Sequence, residues 1–178
     1  MPQFIDDATF GHFFETFEHT AWRLETRRGY ASDRASDKYL HYQSTGTVPD
    51  DSARPWCVNV RAQTNQGKRI ERVRLVDQPP TTEQLYLLAT AATNNAAGED
   101  IRNLWRADAE RLHLPAEDFW LFDSRRALLL HFDDADNYLG AELVDDAARI
   151  VRYCQIRDAA WHHAICRTDF VAQVASTV

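Results

Sequence analysis

Apolar and polar positions follow different periods along this chain, and each change of period marks an element. The clearest stretch runs from Glu117 to Gly140, EDFWLFDSRRALLLHFDDADNYLG. Phe119 to Phe122 form a short apolar run, and Asp123, Ser124 and Arg125 interrupt it with turn-compatible residues. Ala127 to Leu130 and Phe132 make a second run, and Asp133 to Asn137 a second turn before Tyr138 and Leu139. The pattern predicts a β-hairpin leading into a third strand, buried among helices.

Upstream, Phe10, Phe13, Phe14 and Phe17 recur at i, i+3, i+4 and i+7, which predicts a helix with an aromatic face, capped by Asp6 or Asp7. AWRLE (21–25) alternates as a short strand, with Trp22 and Leu24 on one side and Arg23 and Glu25 on the other. Ser32 or Asp33 is expected to cap a short helix toward Tyr42, and a polar loop follows. Pro55 opens a further helix that Gly67 stops. RIERVRLVD (69–77) alternates again. Ile70, Val73, Leu75 and Val76 are expected inward, and Arg69, Arg72 and Arg74 outward, as the wet face of an edge strand. Thr81 or Thr82 caps the next helix, Ile101 to Trp105 read as a strand, and 107–114 as a short helical connection. Asp145 or Asp146 caps a long helix ending near Arg167, with a tail after it. The expected fold class is α/β: a mixed sheet with a central β-hairpin covered by helices, plus an N-terminal, mostly helical lobe. One domain is expected, with the lobe over 1–67, the sheet-containing core over 68–167 and the tail over 168–178.

Composition narrows the functional classes. The chain has 178 residues, 44% of them hydrophobic, and a formal net charge of −7. That balance argues against a whole-surface nucleic-acid footprint, so no direct nucleic-acid partner is expected. No apolar run reaches the roughly 20 residues of a membrane span, and no membrane partner is expected. Cys57, Cys154 and Cys166 are widely spaced and odd in number, which suits reduced thiols and a cytoplasmic setting.

Candidate chemistry is sparse. Glu99, Asp100, Asp123 and His131 are polar residues that punctuate the predicted strands, and they form a candidate catalytic set if the fold gathers them. His131 would serve as a general base only beside Asp123 or Glu142. A candidate binding set combines the arginines Arg23, Arg72, Arg74 and Arg102 with Trp22, Trp105 and Trp120, whose rings are the expected partner-facing aromatics. Lys68, Arg69, Arg72 and Arg74 are the densest basic cluster, able to meet phosphate or an acidic partner if they are exposed. His162, His163 and Cys166 lack a second ligand cluster, and Asp133, Asp134 and Asp136 lack the glycine and distal glutamate of a calcium loop. No metal site or cofactor is expected.

Several stretches carry a resemblance: GKRIERVRLVD, AGEDIRNLW, EDFWLFDSRRALLLHFDD, YLGAELVDD and RYCQIRDAAWHHA. Together they resemble an actinobacterial family of unknown function, often encoded beside helix-turn-helix regulators and small partner proteins, over Phe10 to about Ile165. The resemblance implies a regulatory or accessory protein with a protein partner such as a helix-turn-helix regulator. The segment from Arg72 to the terminal helix also resembles one half of a phospholipase D-like domain, whose motif is His-x-Lys-x-x-x-x-Asp. With the motif's acid at Asp123, Ala116 stands at the histidine position and Asp118 at the lysine position. The resemblance therefore implies a degenerate copy without that chemistry. The expected function is a non-catalytic regulatory or accessory protein that binds a partner. The alternatives are a small hydrolase or nuclease-like toxin and a small-molecule sensor module.

Overall fold

A computed structural model describes residues 3–176 of the chain. Among them, eight helices surround an eight-stranded mixed sheet that is not closed into a barrel. The strands are β1 (Phe4–Ile5), β2 (Thr20–Glu25), β3 (Arg69–Val76), β4 (Asp100–Trp105), β5 (Asp118–Phe122), β6 (Arg126–Phe132), β7 (Tyr138–Val144) and β8 (Ile165–Cys166). Their order across the sheet is β1-β7-β6-β5-β2-β3-β4-β8. β2, β3 and β4 run parallel, and β2 meets the antiparallel β5-β6-β7 meander through β5.

The helices are α1 (Asp7–Thr16), α2 (Ala31–Arg34), α3 (Asp37–Thr45), α4 (Pro55–Thr64), α5 (Thr82–Ala97), α6 (Arg106–Arg111), α7 (Ala147–His163) and α8 (Arg167–Ser176). Local chemistry sets their starts. Asp6 caps α1, Ser36 caps α3, Thr81 and Gln84 form a capping box on α5, and Asp146 caps α7. Neither Ser32 nor Asp33 acts as a cap: α2 begins after Tyr30, which makes no side-chain cap, and the capping serine is Ser36.

Because side chains alternate along a strand, the sheet has two differently built faces. One carries Trp22, Leu24, Val73, Leu75, Phe119 and Leu121 against α6 and α7. The other carries Ala21, Ile70, Trp120, Phe122 and Leu128 against Phe13, Phe14 and Phe17 of α1 and Val60 of α4. Phe14 stands edge-on to Trp120 at 4.9 Å and to Phe122 at 5.2 Å, geometry in which each aromatic pair adds about 0.5–1.5 kcal/mol beyond burial.

Three expectations change. β3 is not an edge strand, because β2 and β4 pair with it on both sides. Residues 1–67 are not a lobe laid on the sheet, because they supply its middle strand, β2. Most of the expected tail is α8: Phe170 is fully buried and packs at a tilt against Trp105, ring centroids 4.3 Å apart, while 177–178 lie outside the described residues. No helix among the described residues is long and apolar enough to cross a membrane.

Candidate functional site

The register of the central strands decides which polar side chains meet. Arg23 lies beside Arg72 across β2 and β3 and beside Trp120 across β5, while Glu25 lies beside Arg74. Cross-strand neighbours share a face, so these side chains all point toward α1, α4 and α5. Here the aromatic layer stops, and a cavity of about 730 Å³ opens between the sheet and the helices. Arg23, Arg72, Arg74 and Trp120 form its floor, and Phe10, Phe14 and Trp56 one wall. Lys38, Asp51 and Arg54, from α3 and the loop after it, stand across from them.

Beneath the floor, two glutamates neutralise the guanidinium groups. Glu25 accepts from Arg72 Nη1 at 2.9 Å and from Arg74 Nε, and Arg23 Nη1 lies 3.2 Å away. Glu99 accepts from Arg72 through Nε at 2.9 Å and Nη2 at 2.6 Å, from Trp56 Nε1 at 2.9 Å and from Asn94 Nδ2 at 2.8 Å. Asp118 accepts from Tyr30 Oη at 2.7 Å and Thr26 N at 2.7 Å, with Arg23 Nη2 3.3 Å away. Burial alone would push the Glu25 carboxyl up, yet Arg23, Arg72 and Arg74 together hold it well below the usual carboxylate range. Arg72 lies 5.3 Å and Arg23 5.6 Å from the Trp120 ring, close enough for cation–π attraction.

Four of the seven predicted binding residues therefore converge: Arg23, Arg72, Arg74 and Trp120. The outward orientation expected for Arg72 and Arg74 is corrected, since each is only 7% exposed. Their alternation with Val73 and Leu75 holds, but the face they occupy looks into an open-mouthed cavity beside α1, α4 and α5 rather than straight into bulk water. Trp22 and Trp120 are also buried, at 1% and 2% exposure, so neither presents a ring to a partner. Trp22 belongs to the opposite face, where it lines a smaller cavity of about 510 Å³ with Glu71, Arg157 and Trp161. Arg102 stacks on Trp161 at 3.9 Å on that face and pairs with Asp100 at 3.0 Å. Trp105 is half-buried under α8 and donates to Gln173 Oε1 at 3.1 Å.

The predicted catalytic set does not assemble. Glu99 is buried, with both oxygens occupied by the contacts above. Asp100 is held by Arg102. Asp123 accepts the backbone N–H groups of Glu18, His19 and Thr20 at 2.7–2.9 Å. His131 does reach Glu142, at 3.0 Å, but it stands five residues along β6 from Arg126, on the order of 16 Å from the Asp123 turn, and it lines neither cavity. Among the described residues, no group of three or more His, Cys, Asp or Glu side chains is placed to hold a metal ion.

Comparison with known proteins adds one decisive observation. The family model described as Domain of unknown function (DUF6879) matches residues 8–172. The chain belongs to this family. A search of curated proteins finds no match. The expectation of a family without an assigned activity is thus met over nearly the whole chain.

In this member of the family, sequence reasoning passed over Glu25, Asp118, Tyr30 and Trp56, and it placed Glu99 in the catalytic set rather than under Arg72. A signal for part of this was present. R-x-E in AWRLE and R-x-R in RIERVRLVD place charges at alternate positions of two strands whose other faces are apolar. Laid side by side in a buried sheet, such strands must pair their charges with each other.

Proposed function

We propose that this protein is a non-catalytic regulatory or accessory module that works by binding a small molecule in the arginine–tryptophan cavity. The observation that carries the reading is the cavity itself: about 730 Å³, within the usual range of small-molecule sites, with three arginines and one indole converging on its floor. Buried ion networks of this kind are poor investments in stability, since well-packed apolar residues often serve as well or better. Their position under a cavity is what favours a binding role. The dispersal of Glu99, Asp100, Asp123 and His131 supports a non-catalytic reading over a hydrolase or nuclease-like toxin.

Native mass spectrometry after incubation with a cellular metabolite extract tests this directly. The expected outcome is a compound retained at about one per chain, accompanied by a rise in Tm. Chains that retain nothing and melt at the same temperature with and without extract would sink the reading.

A protein partner is the second part of the proposal, with a helix-turn-helix regulator as the expected class. Its support is the resemblance to an actinobacterial, regulator-associated family and the exposed apolar side chains Phe4, Tyr138 and Leu139 near the β1–β7 edge. Size-exclusion chromatography with a purified neighbouring regulator should give a complex that Leu139→Asp disrupts. Separate elution of the wild-type proteins would remove this part. Descent from a degenerate phospholipase D-like half domain is proposed on the motif positions alone, Ala116 and Asp118 standing where His and Lys would be. A cytoplasmic setting is proposed from the three free cysteines.

A further inference from the structure

We infer that the cavity takes an aromatic anion of metabolite size, a flat ring joined to a carboxylate or phosphate. The inference rests on the small-molecule reading above and narrows it to a chemical class.

Three features of the lining point this way. The first is its division into two chemistries. Phe10, Phe14 and Trp56 give a ring-bearing wall, and Arg23 and Arg74 stand on the floor next to it. Aromatic walls stack flat groups, and guanidinium forks match carboxylates and phosphates.

The second is where the counter-charges sit. Glu25 and Glu99 neutralise the arginines but are not part of the lining, so a ligand meets cationic rather than anionic groups at the floor. Of the carboxylates that do line the cavity, Asp51 is held through Oδ2 by Lys38 at 2.5 Å and Arg54 at 3.3 Å, with Oδ1 left as an acceptor. Burial raises the pKa of Asp33, and the nearby Arg74 opposes that shift. Glu15 lies outermost, on the exposed side of α1. A cationic ligand would face five lining cations: Arg23, Lys38, Arg54, Arg72 and Arg74.

The third is unspent donor capacity. Arg72 uses all three of its nitrogens on Glu25 and Glu99. Arg23 Nε is buried without a hydrogen-bond partner. Arg74 spends Nε on Glu25 and Nη1 on Leu87 O at 2.6 Å, which leaves Nη2 unengaged among the described residues. Arg23 Nε, a buried donor left over in this way, costs free energy until an acceptor arrives, and Arg74 Nη2 is a second donor open to the cavity. The open Arg74 Nη2 on the cavity floor places the anion there.

The test compares matched ligands on the intact chain by isothermal titration. Adenosine 5′-monophosphate and indole-3-acetate carry ring plus anion, as phosphate and carboxylate respectively. Adenosine and indole carry the ring alone, inorganic phosphate the anion alone, and benzamidine a ring with a cation. At least one ring–anion compound should bind ten-fold or more tightly than its neutral counterpart, than phosphate and than benzamidine. Arg74→Gln should remove that preference, bringing the ring–anion compound down to the affinity of its neutral counterpart. Where Arg74→Gln does not fold, Arg54→Gln, at the more exposed mouth, should reduce the preference at least three-fold. Which of the two anions wins separates a phosphate ligand from a carboxylate one.

Neutral rings or benzamidine binding as tightly as the anions would overturn the inference while leaving the small-molecule reading intact. If none of these probes binds at millimolar concentration, the inference also fails. The underlying reading then stands or falls on the metabolite-extract experiment, which retains a compound whatever its charge.

Discussion

At the scale of single residues, charge in this protein is used to hold backbone and side chains in place. Asp123 and Ser124 occupy the left-handed region (φ 53° and 56°), and Arg125 N donates to Phe122 O, closing a tight turn within the three-residue connection between β5 and β6. The Asp123 carboxylate reaches across to three backbone N–H groups at 18–20, just where β2 begins. Partial burial opposes ionisation, but the hydrogen bonds from Glu18, Thr20 and His19 win and lower the pKa. A carboxyl depressed in the folded state stabilises above its unfolded pKa, about 3.9, and loses that contribution as pH falls through the folded value. Asp123→Asn should therefore cost about 2 kcal/mol at pH 7 by urea unfolding, and the gap to wild type should close below pH 4. A gap independent of pH would show that the charge is irrelevant. Arg72 makes the same point inside the sheet. Arg72→Met leaves Glu25 and Glu99 buried with fewer partners and should lose about 3–5 kcal/mol, read as a lower urea midpoint. Near-wild-type stability for that variant would mean the two glutamates are not held as ions.

At the scale of elements, the legible parts are those whose hydrophobic period is unbroken. The β5-β6-β7 meander was readable because FWLF and ALLLHF are apolar on both faces and bounded by Asp-rich turns, and the register confirms it, Phe122 pairing with Arg126 and Asp118 with Leu130. Phe122 is the residue on which that reading depends. It is 2% exposed and lies 5.1–5.2 Å from the rings of Phe13 and Phe14. Phe122→Ala should cost about 3–5 kcal/mol in chemical denaturation, and a loss under about 1 kcal/mol would contradict its place in the core. Less legible was α8. RTDFVAQVAS has one strong anchor, Phe170, and its burial depends on Trp105, Val76 and Leu88 from distant segments. The cavity was half-legible. Alternation placed Arg72 and Arg74 on the face opposite Val73 and Leu75, but nothing local says that α1, α4 and α5 flank that face. Whether an arginine looks into water or into a lined cavity is a property of the packed layers, not of the strand.

At the scale of the whole molecule, the decisive fact is that β2, from the first 25 residues, lies between β3 and β5. It contributes Trp22 and Leu24 to one core and Ala21 to the other, and it supplies Arg23 and Glu25 to the buried ion network. In a chain that begins after β2, which lacks β1 as well, β3 and β5 would become open edges, and the sheet would separate into a β3-β4-β8 part and a β5-β6-β7 part. Each remnant exposes unpaired backbone groups of a kind folded proteins protect. Arg72 and Arg74 would also lose Glu25, their shared carboxylate. A fragment spanning 68–178 should therefore fail to fold alone, despite holding most of the strands. Its circular dichroism should lack a cooperative thermal transition, and its amide spectrum should be poorly dispersed. Adding the 1–67 fragment should restore both, because β2 and the aromatic face of α1 return together. A 68–178 fragment that melted cooperatively by itself would mean that the sheet tolerates the loss of its centre. The arginine floor would then have to be held by something other than Glu25.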